Sequence, residues 1–335
     1  MDALEARAAF SCETTRIGTS VTDHPEIGAE RTLAVKYNHP WTPVALVGLL
    51  VAAGPVGAQS PPPQSPAQIR LDQAAQAFES DPKFKRLPLK KRQDLVKFVI
   101  GNTLFALVHE FGHTAISEMG LPVLGREEDA ADAFAAVIGL KMGTAMSQGV
   151  LIEAAKGWFY SDRRDKREGN KMAFYDEHGI DKQRAYNVVC LMVGSDPEKF
   201  KSLADETKLP EDRQATCVGD YSNASWSWET VLKPHRRAPD QAKTKIDVSY
   251  QEGKGKLAVF ATAFRDVRLL ETIAERASDS FAWRAPFALE MRTCDESNAH
   301  WDISVRTIIV CYEIADEFAQ LYLDYGEERE AAERK

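Results

Sequence analysis

The sequence predicts an α+β fold that is predominantly helical with a small sheet. Apolar residues recur with helical spacing in long segments as far as about residue 235. Short runs with the alternating or β-branched pattern of strands come only after that point. The chain has 335 residues, of which 44% are hydrophobic and 27% are charged. This balance is that of a globular protein with one large domain or two small ones.

The predicted helices follow one another along the first two thirds of the chain. Residues 67–80 and 89–119 have helical periodicity, and the longer segment has a possible break at Gly101. A glycine–proline turn ends the longer helix, because proline cannot continue it. Residues 126–143 form the next predicted helix, with acids in its first turn where the helix dipole favours them. Further helices are predicted within residues 175–200, 211–235 and 314–326.

Three strands are predicted in the last third of the chain. Residues 245–252 alternate in polarity, residues 287–293 are a weaker candidate, and residues 305–313 are rich in β-branched side chains, as in a buried strand. The intervening segment 294–302 has the composition of a turn. The last two strands are therefore predicted to form a hairpin.

The N-terminal region is predicted to lie outside the folded domain. Residues 1–34 are polar without periodicity, and we interpret them as a disordered or non-native extension. Residues 35–58 contain an apolar run too short for a membrane span, preceded by Lys36 and followed by small residues, which is the pattern of a secretory signal peptide. An uncleaved anchor or a short buried segment is the alternative. Residues 59–67 are a proline-rich linker, and residues 68–335 form the predicted domain.

Cysteine usage agrees with export to the periplasm or the medium. The predicted domain has four cysteines, and an even number in an exported protein predicts two disulfides. Of the three possible pairings we favour Cys190 with Cys217, on successive helices, and Cys294 with Cys311, on neighbouring strands of the hairpin. Four buried free thiols are the alternative. No pair has the CxxC spacing of a cysteine zinc site.

Charge argues against a nucleic-acid-binding protein. The net charge is −8 at pH 7, a modest acidic excess. The mixed-charge segment 161–171 is most simply a solvated loop. No stable membrane span is predicted. The expected partner is a peptide or protein substrate, because residues 109–113 have the pattern of a zinc hydrolase.

The segment His109-Glu110-Phe111-Gly112-His113 has the pattern of a zinc hydrolase. Residues four apart lie on one face of a helix, so both imidazoles can bind one ion. Glu110 borders that face without having to bind the metal, where a carboxylate can act as general base on a zinc-activated water. Gly112 leaves space beside the metal, where substrate could approach. The alternative is two core histidines with other partners.

A catalytic zinc commonly has three protein ligands, so a third is expected nearby. The acidic cluster after the turn supplies Glu127, Glu128 and Asp129. Among these, Glu128 alone has an acid four residues later. We therefore predict Glu128 as third ligand and Asp132 as hydrogen-bond acceptor from a ligand histidine. The alternative is that the cluster only caps its helix.

An oxyanion-stabilising donor is also expected in a zinc peptidase. His178 is the preferred candidate, because neighbouring acids could orient its ring. Tyr175 and Arg184 are alternatives. A surface histidine without function is the competing interpretation.

The segment LFALVHEFGHTAISEMGLPVLGREEDAADAFAAV resembles the bacterial metallopeptidase-like family DUF4344, and more broadly the zincins with a glutamate ligand (gluzincins). The resemblance extends from about residue 70 onward and is most specific in the two motifs. It implies a zincin-like fold and a bound Zn²⁺, and it supplies no substrate. In zincins the strand beside the substrate usually precedes the active helix. Here the best candidate, residues 306–313, follows it.

These observations predict an exported zinc-dependent metallopeptidase, in which Glu110 is the general base. The competing hypothesis is a non-catalytic, zinc-stabilised binding protein of the cell envelope. A helical domain without metal is a third. The hypotheses differ in metal content and in the role of Glu110.

Overall fold

A computed structural model of the protein describes residues 66–333, and its side chains from residue 68 to residue 326. The predicted extension 1–34 and signal peptide 35–58 lie outside the described residues, as does almost all of the linker 59–67. The described part begins with a helix at Pro66, close to the predicted start of the domain.

Helices account for most of the described residues. In chain order they are α1 (Pro66–Ala77), α2 (Pro82–Lys85), α3 (Leu89–Met119), α4 (Glu127–Met142), α5 (Ala145–Glu168), α6 (Asp181–Ser195), α7 (Lys201–Glu206), α8 (Glu211–Leu232), α9 (Ala258–Asp266), α10 (Leu269–Ser280) and α11 (Tyr312–Glu333). Together with a single small sheet among the described residues, they confirm the predicted α+β class.

The sheet has four strands, β1 (Ile246–Tyr250), β2 (Phe287–Arg292), β3 (Ala299–Asp302) and β4 (Thr307–Cys311). Their order is β1-β2-β4-β3, with β1, β2 and β4 parallel and β3 antiparallel to β4. β3 is therefore an edge strand, and it lies against α3.

Three predictions about this sheet are wrong. The segment 294–302 was predicted as a turn, but it contains β3, a short strand whose polar composition hides its pairing. The strand expected to lie beside the substrate, within residues 306–313, is the interior strand β4, so β3 takes the edge position beside α3 instead. The predicted hairpin of β2 with β4 is also wrong, because these two strands are parallel neighbours joined through β3.

Helix α3 is the central element of the domain. It begins after Pro88 and ends at Gly120, whose φ of 63° is the left-handed conformation that glycine adopts easily. Gly101 does not break the helix. A Cβ at this position would lie only 2.7 Å from the Cβ of Glu153 on α5. The glycine thus permits close helix packing. α3 lies between a core cluster shared with the sheet and a second cluster formed with the helices from α4 to α8.

By length and composition alone, α3 is the one described helix that could cross a membrane. Of its most apolar window, 67% is buried inside the protein. A buried core helix of a folded domain passes the same test of length and composition.

The structure contains the two disulfides that the sequence favoured. Cys190 on α6 is bonded to Cys217 on α8, and Cys294, just after β2, is bonded to Cys311 at the end of β4. The short helix α7 intervenes between the first pair, and the second pair joins parallel strands.

The prediction of a solvated loop at residues 161–171 is wrong over most of its length. α5 continues to Glu168 and ends at Gly169, in the left-handed conformation. The charged residues form the exposed side of the last helical turns, where intrahelical pairs such as Lys166 with Asp162 stabilise them.

Candidate metal centre

The site is built on two helices, α3 and α4, that approach closely where its residues lie. Gly112 is the reason: a Cβ there would lie 2.9 Å from the Cα of Ala131 on α4. The space beside Gly112 is therefore occupied by the neighbouring helix and not left for substrate, which corrects the sequence-based interpretation. The close approach brings Glu128 and Asp132 of α4 to the two histidines of α3.

Three donor atoms converge between the helices. Nε2 of His109 lies 3.1 Å from Nε2 of His113 and 3.1 Å from Oε2 of Glu128, and Nε2 of His113 lies 3.3 Å from Oε1 of Glu128. Ligands at about 2.0–2.2 Å from a tetrahedral zinc are roughly 3.3–3.6 Å apart. Shifts of a few tenths of an ångström would thus place all three around one ion. These residues could form a metal site.

The remaining ring nitrogens of both histidines have carboxylate partners. Nδ1 of His109 lies 2.8 Å from Oδ1 of Asp132, and Nδ1 of His113 lies 2.9 Å from Oε1 of Glu127. Each pairing directs Nε2 of its ring toward the other histidine and Glu128. Glu127, a competitor for the ligand position, thus lies behind His113. Asp129, the other competitor, pairs with Arg126.

Asp132 is itself fixed from the other side. Arg184 on α6 donates from Nε to Oδ2 at 2.7 Å and from Nη2 to Oδ1 at 2.8 Å, a bidentate pair in a buried setting. The guanidinium lies over the ring of Trp158, 3.8 Å from its centroid. Arg184, an alternative oxyanion donor in the sequence analysis, thus uses two of its five N–H groups to hold Asp132.

Electrostatics of the cluster favour a cation. The cluster has four carboxylates, those of Glu110, Glu127, Glu128 and Asp132. When the imidazoles of His109 and His113 are neutral, the guanidinium of Arg184 is the one positive charge among these residues that balances them. Burial opposes charge on Glu128, but hydrogen bonds from three histidines hold the pKa of its carboxyl well below its ordinary value. Glu128 is therefore ionised and available as a ligand at any pH near neutrality.

The same carboxylates affect both histidines. Burial opposes protonation of His109, yet its hydrogen bonds with Asp132 and Glu128 raise its pKa above the ordinary value. Burial likewise opposes protonation of His113, and its bonds with Glu128 and Glu127 raise its pKa to about 9. Protons thus balance the negative charge in the absence of a metal, and a divalent cation would replace them.

Glu110 lies beside the donor atoms, with its carboxylate held by the sheet. The backbone N–H of Trp301 on β3 donates to its Oε2 at 3.0 Å. That N–H is free of the β3–β4 ladder, because Cys311 donates to the carbonyl of Asn298 and hydrogen-bonded pairs alternate in antiparallel strands. Burial is the largest cause of the raised pKa of Glu110.

His178 lies at the site, on the loop between α5 and α6. Its Nε2 is 3.0 Å from Oε2 of Glu128, and its Nδ1 and backbone N–H both contact Oδ1 of Asp176. The bond with Glu128 is the main reason that the pKa of His178 is raised. Tyr175 on the same loop is 94% exposed, and the structure does not bring it to the centre.

A small cavity of about 140 Å³ opens beside the centre. Its walls include His109, Glu110 and His178 together with Ser297 and Ala299, which lie just before and at the start of β3. A group in this cavity would thus contact the candidate ligand His109, the buried carboxylate of Glu110 and the edge strand together.

Sequence reasoning missed two contributors to this geometry. Trp301 is 191 residues from the glutamate that it contacts, and its contact uses the backbone N–H, so no residue type could have indicated it. Trp158 carries the guanidinium of Arg184, and only the crossing of α5 and α6 brings the two together. The single available signal was Asp132, whose burial required a second partner.

The fold and site together define a class: an α+β protein with two histidines and a glutamate that could bind one metal ion. Residues 69–232 and 250–335 match the family DUF4344, described as "Putative metallopeptidase". These segments make up most of the chain, which therefore belongs to that family. Searches of curated proteins and of solved structures found no match.

Proposed function

We propose that this protein is a zinc-dependent metallopeptidase that acts outside the cytoplasm. The observation that carries the proposal is the convergence of two imidazole nitrogens and a glutamate oxygen beside a buried, tethered carboxylate. Two nitrogens and one carboxylate oxygen are a ligand set of catalytic zinc, and they leave a position for water or substrate. His109, His113 and Glu128 would hold the metal.

Zinc, when bound, supplies a Lewis acid that polarises a carbonyl group and acidifies a water molecule. Glu110 accepts the proton of the attacking water and passes it to the leaving amine. The raised pKa of its buried carboxyl suits a group that must both accept and return a proton. The N–H of Trp301 occupies Oε2 and leaves Oε1 for this transfer.

The other residues orient these groups. Asp132 fixes the tautomer of His109 by accepting from its Nδ1, and Arg184 fixes Asp132. His178 can donate from Nε2 toward negative charge that develops on the substrate oxygen, because it lines the cavity beside His109 and Glu110.

Export is supported by the two disulfides, which persist in oxidising compartments. The signal-peptide pattern at residues 35–58 agrees with this. Together they favour a periplasmic or secreted protein.

The decisive experiment combines metal analysis with the variant Glu110→Gln. We expect about one zinc per chain in both proteins, hydrolysis of a peptide library by the wild type, and a loss of at least about 10³-fold in the variant. Glu271→Gln is a matched control, because Glu271 accepts from Tyr250 Oη at 2.8 Å beside β1, the opposite edge of the sheet.

Each outcome separates the hypotheses. Full activity in Glu110→Gln would refute the assignment of the general base. Stoichiometric zinc without turnover in the wild type would favour the non-catalytic binding protein, and absence of bound metal would end the zinc proposal.

A further inference from the structure

A second buried glutamate on α3 contacts the hairpin of β3 and β4, which Glu110 also contacts. Glu118 lies eight residues after Glu110, and its side chain is 4% exposed. Its carboxylate accepts from Nη1 of Arg306 at 2.6 Å and from Nη2 at 2.8 Å. Such a bidentate pair fixes both the distance and the relative orientation of the two groups.

Arg306 is also bonded to the segment before β2. Its Nε donates to the carbonyl of Pro286 at 3.0 Å, and Nη2 donates to the carbonyl of Ala285 at 3.1 Å. One guanidinium therefore joins three parts of the protein: the C-terminal end of α3, the start of β2 and the β3–β4 turn.

The backbone of Arg306 is in an unusual conformation. Its φ is 52°, in the left-handed region that residues with a long side chain seldom adopt. It is the last residue of the turn between β3 and β4, where glycine would be accommodated with less strain. The side-chain contacts hold the residue in this conformation.

We propose that Glu118 and Arg306 form a clamp that holds β3 against α3 and thereby positions the N–H of Trp301 on Glu110. The two residues are positioning residues, since neither is in contact with the metal ligands. The role in catalysis rests on the proposed function, whereas the role in holding Trp301 does not. Without the clamp, the edge strand loses its charged attachment to α3, and the Trp301–Glu110 bond becomes intermittent.

A matched control lies at the other end of the same helix. Arg92 is buried, donates to the carbonyls of Ala75 and Leu87, and pairs with Glu79. Like Arg306, it bonds to two carbonyls and one glutamate, but these bonds join α3 to α1 and to the segments on either side of α2 instead of to the sheet.

The test compares Arg306→Gly and Arg306→Lys with Arg92→Lys in the full-length, zinc-loaded protein. Glycine removes the guanidinium and relieves the left-handed backbone, and lysine keeps the charge but loses the bidentate geometry. Labelling with ¹⁵N-tryptophan limits the backbone amide signals to six residues, and the tryptophans within helices α5 and α8 (Trp158, Trp226 and Trp228) serve as internal references for hydrogen exchange.

We expect exchange of the Trp301 amide to accelerate at least about tenfold in both Arg306 variants, with zinc content unchanged and the reference amides still protected. We expect kcat to fall about tenfold with KM changed less than about twofold, because a displaced carboxylate affects the chemical step more than binding. Arg92→Lys should lower the Tm and leave both readouts as in the wild type.

Unchanged Trp301 exchange in both Arg306 variants would overturn the proposal, and so would equal changes in Arg92→Lys, which would indicate general destabilisation. Faster exchange with unchanged kcat would refute the catalytic part. If the wild type cleaves no peptide, the proposed function fails, and amide exchange alone still decides whether the clamp exists.

Discussion

The two ends of α3 both bury charged side chains, but in different ways. Near the N-terminus, Arg92 has two carbonyl acceptors and a glutamate, so the cluster is complete by itself. In the candidate metal centre, acids outnumber cations, and two imidazole nitrogens face each other at 3.1 Å. A complete cluster stabilises the fold, whereas a cluster that lacks positive charge is suited to bind a cation.

The largest change in zinc affinity is expected from a substitution at His113. His113→Ala removes one of the three proposed donors, so we expect zinc affinity to fall on the order of 10³-fold, since the free energy of zinc binding is shared among a few ligands. Competition with a chromophoric chelator measures this. An affinity within about tenfold of the wild type would exclude His113 as a ligand, and Arg92→Met provides the control at the other end of the helix.

A smaller effect is expected from pH. In the metal-free protein the pKa of His113 is raised to about 9, so below that pH a binding metal must displace its proton. We therefore expect zinc affinity to rise with pH, by roughly fifty-fold between pH 7 and 9 from His113 alone. Calorimetry in buffers of different ionisation enthalpy counts the released protons, and a flat profile would contradict the prediction.

In the metal-free protein, the stability of the fold depends on pH in the direction opposite to zinc affinity. Because the folded pKa of His113 is raised above its ordinary value of 6.5, its proton stabilises the fold fully below about pH 6.5. That contribution is lost as the pH rises through about 9. Thermal unfolding with and without zinc should show the two opposing trends.

A substitution at Asp132 tests the hydrogen bonds that orient the proposed ligand His109. In Asp132→Asn the acceptor charge for His109 is lost and Arg184 is left without its carboxylate partner. We expect zinc affinity to fall about 10–100-fold, the usual effect of changing a partner behind a ligand. Asp205→Asn, which removes only the exposed pair with Lys201 on α7, should change affinity by less than about twofold.

The smallest change in zinc affinity is expected from Arg92→Met, which tests the charged cluster at the N-terminal end of α3. The carbonyls of Ala75 and Leu87 lose a buried donor, so the free energy of unfolding should fall by about 1–3 kcal/mol. Zinc affinity should remain within about twofold. A large loss of affinity would show that the two ends of α3 are coupled.

Local spacing explains why much of the fold and site could be predicted. The i, i+4 histidines and the acids after the turn lie on helices, where spacing along the chain fixes which side chains share a face. The same reasoning failed for β3. Four residues of mixed polarity carry little strand signal, and the strand exists because β4 lies beside it.

The remaining site contacts join distant segments. Trp301 contacts Glu110 through a backbone group, and Arg306 contacts Glu118 over 188 residues of sequence. Neither residue type nor spacing encodes such pairs. Gly112 is a further example, because only the position of Ala131 shows that the missing side chain serves helix packing.

The sequence by itself determined the helical scaffold and the candidate metal ligands, because each depends on residue type and short spacing; for the four cysteines in the domain it only favoured one of three pairings, which the structure contains. The tertiary structure alone decided that β3 is the edge strand, that its N–H holds Glu110, and that Arg184 fixes Asp132. The physical reason is that a ligand set follows helical periodicity, whereas the orientation of each ligand depends on buried partners that packing brings from elsewhere in the chain.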